Sequence, residues 1–371
     1  ENGKILNDFK LKSLQNTIDY ILINGGTIVL ATHIGRPQTY DPNLSTKLLV
    51  PWFKQHEYSI VFTKDLDDAY QKSKEANKQI ILLENMRFFP GEKNKDIFFA
   101  KKLARLGDFY VNDAFGTLHC TDTSVTLVPE EFPSKKRTIG FLVEKELKML
   151  NKLLSHPTQH FILIVGGKKI ADKIPFIQHL LKKVNTILLC PAIVFTFLQA
   201  INKPVGNSLV DDQMFKICKL ILTEAKKKKV SILFPLDFQV AKKTIYGPLT
   251  IVLADQLMPD DIGISIGPKT IKSWEPVIKQ AGTIFFNGCM GFSDRTETLV
   301  GMKSLLNVII KTKGTSIIAG GDSVAVTTNL GFDQQFDYLS TGGGAALAYL
   351  SGETLPGLVA INKNINTMDK G

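Results

Sequence analysis

The sequence predicts an α/β protein made of two doubly wound parallel-sheet domains joined by a hinge helix. Short apolar runs alternate with helical periodicity along both halves, the pattern of consecutive βαβ units. The alternation is broken once, by an irregular stretch from 113 to about 134 and a helical segment at 142–154, and then restarts. A length of 371 residues is long for one core and suits two.

The first helical pattern spans 9–22 and stops at Asn24-Gly25-Gly26, because glycine favours the backbone that ends a helix. A buried strand over 27–32 opens into His33-Ile34-Gly35-Arg36-Pro37, where the residue before proline resists helical geometry. Helix 45–55, strand 58–63, helix 66–74, strand 79–83, helix 95–106 and strand 109–112 follow. In the second half the same alternation places strands near Phe161, Thr186, Ser231, Thr250, Thr283 and Thr315, with a last one over 336–340.

Composition excludes several classes. Hydrophobic residues at 44% and charged residues at 22% are ordinary for a soluble globular protein and leave no case for disorder. The longest apolar patch, 187–198, is interrupted by Pro191 and Thr196 and is too short to cross a bilayer. A net charge of +10 suits polyanionic partners, but the one dense lysine run, 226–229, ends a helical pattern and has no interleaved aromatics. Small anions are expected rather than nucleic acid or a membrane. Cys120, Cys190, Cys218 and Cys289 show no CxxC spacing, which fits a reducing cytoplasm. No strand is followed by GxGxxG with an acidic residue about 20 residues on, which argues against a nicotinamide-dependent oxidoreductase.

Ligands of open α/β sheets bind outside the carboxyl ends of strands. In the first half those positions hold His33, Arg36 and Arg87, three groups able to bind an anion. In the second half they hold Gly166-Gly167 with Lys169 and Lys173, then Asn287-Gly288, Gly320-Gly321-Asp322 and Gly342-Gly343-Gly344. Lys169 and Lys173, four apart, are expected on one side of a helix N-terminus. Cations there oppose the helix dipole, so the pair is either an anion site or a solvated turn. Asp322 is either a helix cap or a carboxylate for Mg²⁺. His119 lies in a loop after a strand, and the order of residues supports no Ser/His/Asp or Cys/His pair.

With these stretches in view, the chain resembles the phosphoglycerate kinase family over nearly its whole length. The matching segments, in order, are THIGRP (32–37), LLENMRF (82–88), YVNDAFGTLH (110–119), IGFLVEKELKML (139–150), VGGKKIADKI (165–174), FTFL (195–198), SIGPKT (265–270), NGCMG (287–291), GGDS (320–323) and STGGGA (340–345). The resemblance implies transfer of the acyl phosphate of 1,3-bisphosphoglycerate to Mg-ADP, giving 3-phosphoglycerate and ATP, by a cytoplasmic monomer that closes about a hinge. It implies a glycerate-binding domain at 1–138, an interdomain helix at 139–155, a nucleotide domain at 156–345 and a C-terminal segment, 346–371, that returns to the first domain. His33, Arg36, Arg87 and His119 would hold the glycerate. Gly166, Gly167, Lys169, Lys173, Asn287, Asp294, Gly321, Asp322, Ser323 and Gly342 to Gly344 would surround the nucleotide, Asp322 binding Mg²⁺ and Lys169 steadying the transferring group.

Several positions depart from the family pattern. Lys10 stands where an arginine clamps the transferring phosphoryl group, keeping charge but losing the planar fork. Cys120 replaces a substrate-binding arginine and Asp122 a histidine, so repulsion of an anionic substrate is expected there. Cys190-Pro191-Ala192 replaces a glycine-rich segment, Cys289 a proline, and Asp294 a ribose-binding glutamate. Lys168, in place of a small residue, is a candidate compensating charge. The family's first strand, RVDFN, has no counterpart, so the first sheet is expected without its central strand, with unpaired backbone groups at the gap. Two readings result: an active phosphoglycerate kinase, of full or reduced activity, and a catalytically impaired relative that binds nucleotide as a regulator or scaffold.

Overall fold

The computed structural model describes residues 5, 7–155, 157–158 and 160–363. They form two units: the residues up to Leu147 with those from Thr354 on, and Lys148–Glu353.

Unit 1 runs α1 (Phe9–Ile23), β1 (Ile28–Leu30), α2 (Val50–Gln55), β2 (Ile60–Thr63), α3 (Leu66–Glu75), β3 (Ile80–Leu83), α4 (Pro90–Lys93), α5 (Ile97–Ala104), β4 (Tyr110–Asn112), α6 (Thr123–Thr126), β5 (Arg137–Ile139) and the start of α7 (Phe141–Ser155), inside which the division falls. Three strands make a parallel sheet in the order β1-β3-β2. All four residues of β3 are buried, because successive side chains point to opposite, covered faces. Ile80 and Leu82 join Ile18, Trp52 and Phe53 on one side, while Ile81 and Leu83 join Phe99, Ala100 and Leu103 on the other. β4 and β5 form a separate parallel pair. Among the described residues β1 pairs only with β3 and β4 only with β5, so the strands of the first half lie in two sheets.

The helix expected over 45–55 is broken. Two 3-10 turns, Pro42–Leu44 and Thr46–Leu49, precede α2. Buried Glu84 anchors the start of this segment, accepting hydrogen bonds from Ser45 Oγ at 2.8 Å, Thr46 N at 3.0 Å and Asn85 N at 2.7 Å. The Thr46 N–H, an orphan donor at the start of a helical segment, is thus satisfied by a tertiary acceptor.

Unit 2 continues with β6 (Phe161–Val165), α8 (Ile170–Leu180), β7 (Thr186–Leu189), α9 (Ile193–Ala200), α10 (Phe215–Lys227), β8 (Ser231–Leu233), β9 (Asp237–Lys242), β10 (Leu249–Leu253), β11 (Asp261–Ile266), α11 (Pro268–Lys279), β12 (Thr283–Asn287), α12 (Val300–Ile309), β13 (Thr315–Ala319), α13 (Gly321–Asn329), β14 (Tyr338–Ser340) and α14 (Gly344–Leu350). Six parallel strands lie in the order β14-β13-β12-β6-β7-β8. From β6 the chain moves outward through β7 and β8, then returns to the other side of β6 with β12. The direction reverses between β6 and β12, which opens a crevice at their carboxyl ends.

The strand near Thr250 is a correction. It is β10, and it belongs to a separate antiparallel sheet, β10-β9-β11, whose other two strands the alternation did not reveal. Only residues 243–248 join β9 to β10, too few for the crossover that parallel pairing needs. The lysine run 226–229 sits at the end of α10, where cations complement the helix dipole.

A last helix, α15 (Pro356–Asn362), belongs to unit 1, where it packs on α6 and Gly357 N donates to the Leu118 carbonyl at 3.0 Å. No described helix is long and apolar enough to cross a membrane. All four cysteines are free.

Candidate active site

In unit 1, buried Asn85 organises the loop after β1. Its Nδ2 donates to the carbonyls of Ile34 (2.8 Å) and Leu44 (2.7 Å), and its Oδ1 accepts from Arg87 N at 3.0 Å. The Arg87 guanidinium donates to the Gly35 carbonyl, yet its Nε is buried with no hydrogen-bond partner. An unmet buried donor is costly, and an anionic ligand would satisfy it. Arg36 and Lys10 are exposed; His33 is half-buried.

His33 is not a cation at neutral pH. Burial, then the charges of Arg87, Lys10 and Lys93, push its pKa down to about 4 against the opposing pull of Asp122. The imidazole is thus held in its neutral form, able to donate one hydrogen bond. The sign for stability follows from linkage. Between about 6.5 and 4 the unfolded chain binds a proton that folded His33 refuses, so this group's contribution is present above 6.5 and lost as pH falls through 4.

Exposed His119 lies beside Cys120, Nε2 to Sγ 3.9 Å. Burial and then Asp122 push the Cys120 thiol up. Asp122 occupies the N-cap of α6 but caps nothing, because both its oxygens accept from Lys93 Nζ at 2.8 and 2.9 Å. The repulsion expected of Asp122 is thus met by an ion pair. Lys93 was missed in the sequence; its one signal is position, at the end of the short helix that begins three residues after Arg87.

In unit 2 the turns after β6 and β12 touch backbone to backbone. Gly288 has φ +100°, and a Cβ there would collide with the Gly166 carbonyl and with Lys173 Nζ. A Cβ on Gly166 would meet Gly288 O at 2.7 Å and Cys190 Cβ at 2.9 Å. Only glycine permits this approach. Ser323 Oγ accepts from Gly288 N at 2.9 Å, and Asn287 Nδ2 donates to the Ala319 carbonyl at 3.0 Å, tying the ends of β12 and β13 together. Asn287, expected around the phosphates, is buried and its amide serves this link.

Lys169 and Lys173 are not a matched pair, contrary to their spacing. Lys169 is the exposed N-cap of α8, whereas Lys173 is buried and its ammonium donates to the Gly166 carbonyl. Burial lowers Lys173 to about 8, against the pull of Cys289, Cys190 and Asp322. The crevice holds one cation while solvent holds the other. Lys168 lies with its ammonium 5.3 Å over the Phe292 ring, so its charge is placed on an aromatic face.

Asp322 is exposed in the first turn of α13 and makes no ion pair among the described residues. Gly321 precedes it with open space around a Cβ. Gly343, at φ +48°, leads into α14, and Gly342 N donates to Ser340 Oγ at 3.1 Å. Asp294 is exposed and accepts from Tyr246 OH at 3.3 Å. Its neighbour Arg295 donates to the carbonyls of Ile245 (2.6 Å) and Gly247 (2.8 Å), so both grip the β9–β10 turn. No local signal marked Tyr246, because its partner lies 48 residues away.

Unit 1 thus presents a basic patch after β1 and β3, and unit 2 a glycine-lined crevice with Lys169, Lys173 and Asp322. The family model for phosphoglycerate kinase matches residues 1–353. The chain belongs to this family. A phosphoglycerate kinase of Pseudothermotoga lettingae is 38% identical over 370 residues, which cover 97% of this chain and 92% of the relative. The cytosolic phosphoglycerate kinase 3 of Arabidopsis thaliana is 36% identical over 371 residues, 98% and 92% of the two chains. The solved phosphoglycerate kinase of Coxiella burnetii superposes with a TM-score of 0.81 at 28% identity, covering 97% and 92%. Phosphoglycerate kinase is a phosphotransferase, and the nucleotide it uses calls for phosphate-binding turns such as those at the crevice.

Proposed function

We propose that this chain transfers the acyl phosphate of 1,3-bisphosphoglycerate to ADP, with Mg²⁺, giving 3-phosphoglycerate and ATP in glycolysis. The observation that carries the reading is the β6/β12 switch point, where glycine turns, an exposed lysine and an exposed carboxylate converge. Phosphoryl transfer asks the protein for positioning and charge neutralisation more than for covalent help, and these groups supply both. His33, Arg36, Arg87 and His119 bind the glycerate, and Lys10 steadies the transferring phosphoryl group. Gly166, Gly167, Gly321, Ser323 and Gly342 to Gly344 cradle the nucleotide, with Asn287 and Asp294 on the flanking turns. Lys169 meets the transferring group and Lys173 holds the turn from beneath.

The residues present fit Mg²⁺. Among the described residues no group of three or more His, Cys, Asp or Glu side chains is placed to hold a metal, but Asp322 offers one free hard carboxylate beside the crevice. Mg²⁺ is commonly held by one carboxylate, waters and substrate phosphates. Bound there, it would draw charge from the phosphate oxygens. We read the protein as a monomer, and the cytosolic Arabidopsis thaliana relative supports a cytoplasmic location.

A coupled assay tests the reading: ATP forms from ADP and 1,3-bisphosphoglycerate, and chelation of Mg²⁺ abolishes it. ADP binding without turnover would favour the regulator or scaffold instead. Two titrations probe the half-sites. The C2 proton of His33 should titrate near pH 4 in the free protein and move toward its ordinary value of 6.5 when 3-phosphoglycerate saturates the patch; an unmoved midpoint removes His33 from the site. ADP affinity should fall as pH rises past about 8, where Lys173 loses its charge, and Lys173→Met should flatten that slope. A slope that survives the substitution assigns it to another group.

A further inference from the structure

The unit 1 patch contains one ion pair that joins distant parts of the chain. Four of the other pairs, Lys12–Asp8, Lys72–Asp68, Lys227–Glu224 and Lys279–Glu275, span one helical turn each, but Lys93 and Asp122 are 29 residues apart. Their segments are laced together residue by residue. Thr123 Oγ1 donates to the Gly91 carbonyl at 2.6 Å, and Ser124 donates from N (3.0 Å) and Oγ (2.6 Å) to the Glu92 carboxylate. Lys93 then grips both oxygens of Asp122.

The pair is asymmetric. The Asp122 side chain is 11% exposed and the Lys93 side chain 52%, so the carboxylate end is enclosed and the ammonium end is open. Two of the three ammonium donors face Asp122, which leaves one and an open flank for an anion. Asp122 has given up the helix-capping bond its position offers. Arg36, Arg87 and Lys10 supply the other cations of the patch, while the neighbouring position 120 carries an uncharged thiol.

We propose that Lys93 is a substrate-binding residue: held by Asp122, its ammonium meets an anionic group of the glycerate substrate on the Cys120 side of the patch. Asp122 is the positioning residue. The proposal rests on the reading of this patch as the glycerate half-site.

The deciding variant is Lys93→Met/Asp122→Asn, which removes both charges at nearly constant shape and leaves neither the net charge altered nor a buried carboxylate unpaired. Its KM for 3-phosphoglycerate should rise about tenfold or more, the loss of one charged hydrogen bond, with the KM for ATP unchanged and kcat at saturation largely kept. Adding Cys120→Arg should restore the KM. A KM for 3-phosphoglycerate within about twofold of the parent, while Arg87→Met raises it, overturns the role of Lys93 and leaves the half-site standing. If Arg87→Met changes nothing either, the half-site reading itself fails. A second measurement needs no variant that could misfold: in the wild-type chain, reductively ¹³C-methylated and assigned against Lys93→Arg, the Lys93 signal should shift on titration with 3-phosphoglycerate. No shift refutes the contact.

Discussion

Replacing Lys169 by alanine should lower kcat by about 10²- to 10³-fold, the usual loss when one preorganised donor to a developing charge is removed. The structure makes this a clean experiment. Lys169 is exposed, sits at the N-cap of α8 and makes no side-chain capping bond. Its positive charge opposes the helix dipole, so alanine should leave the melting temperature unchanged or raise it slightly. ADP should still bind, because Lys173 and the glycine turns remain. Activity kept within a few-fold would remove Lys169 from the reaction and point to Lys173 or Lys10 as the essential cation.

The second large effect is expected at Gly288. Alanine there must adopt φ near +100°, a conformation that costs a side-chain-bearing residue about 1–3 kcal/mol, and its Cβ would strike the Gly166 carbonyl. Neither strand end can yield without parting β6 from β12, whose five residues are all buried. Loss of both thermal stability and ADP affinity is the expected outcome, measured by melting and calorimetry. Gly321→Ala is the contrast: a Cβ there meets nothing within 4 Å, and alanine suits the first turn of α13, so stability should hold or rise. Equal behaviour of the two variants would show that the back-to-back turns are not what shapes the crevice.

Much of the architecture was legible in local pattern. The apolar runs at β6, β12 and β13 are strands because buried parallel strands are apolar on both faces, and each is followed by glycine and then a helix. Asp322, the glycine turns, Arg36 and Arg87 could be listed as site residues for the same reason. They lie at strand ends, where topology alone puts ligands. The β9–β10 hairpin does not show in helix–strand alternation, because its six-residue connection, too short for a crossover, requires antiparallel pairing.

The α/β class, the two-part division, the family and the residue types at the strand ends are written in local pattern, because they depend on periodicity, glycine placement and residue type. How those residues are set depends on the folded chain. Burial separates Lys173 from Lys169, although helical spacing treats them alike. Burial and then the surrounding cations lower the pKa of His33. Asp122, repulsive when read alone, is matched by Lys93 from 29 residues away. Charge state and partnership depend on what the fold brings within a few ångströms, and separation along the chain does not specify that.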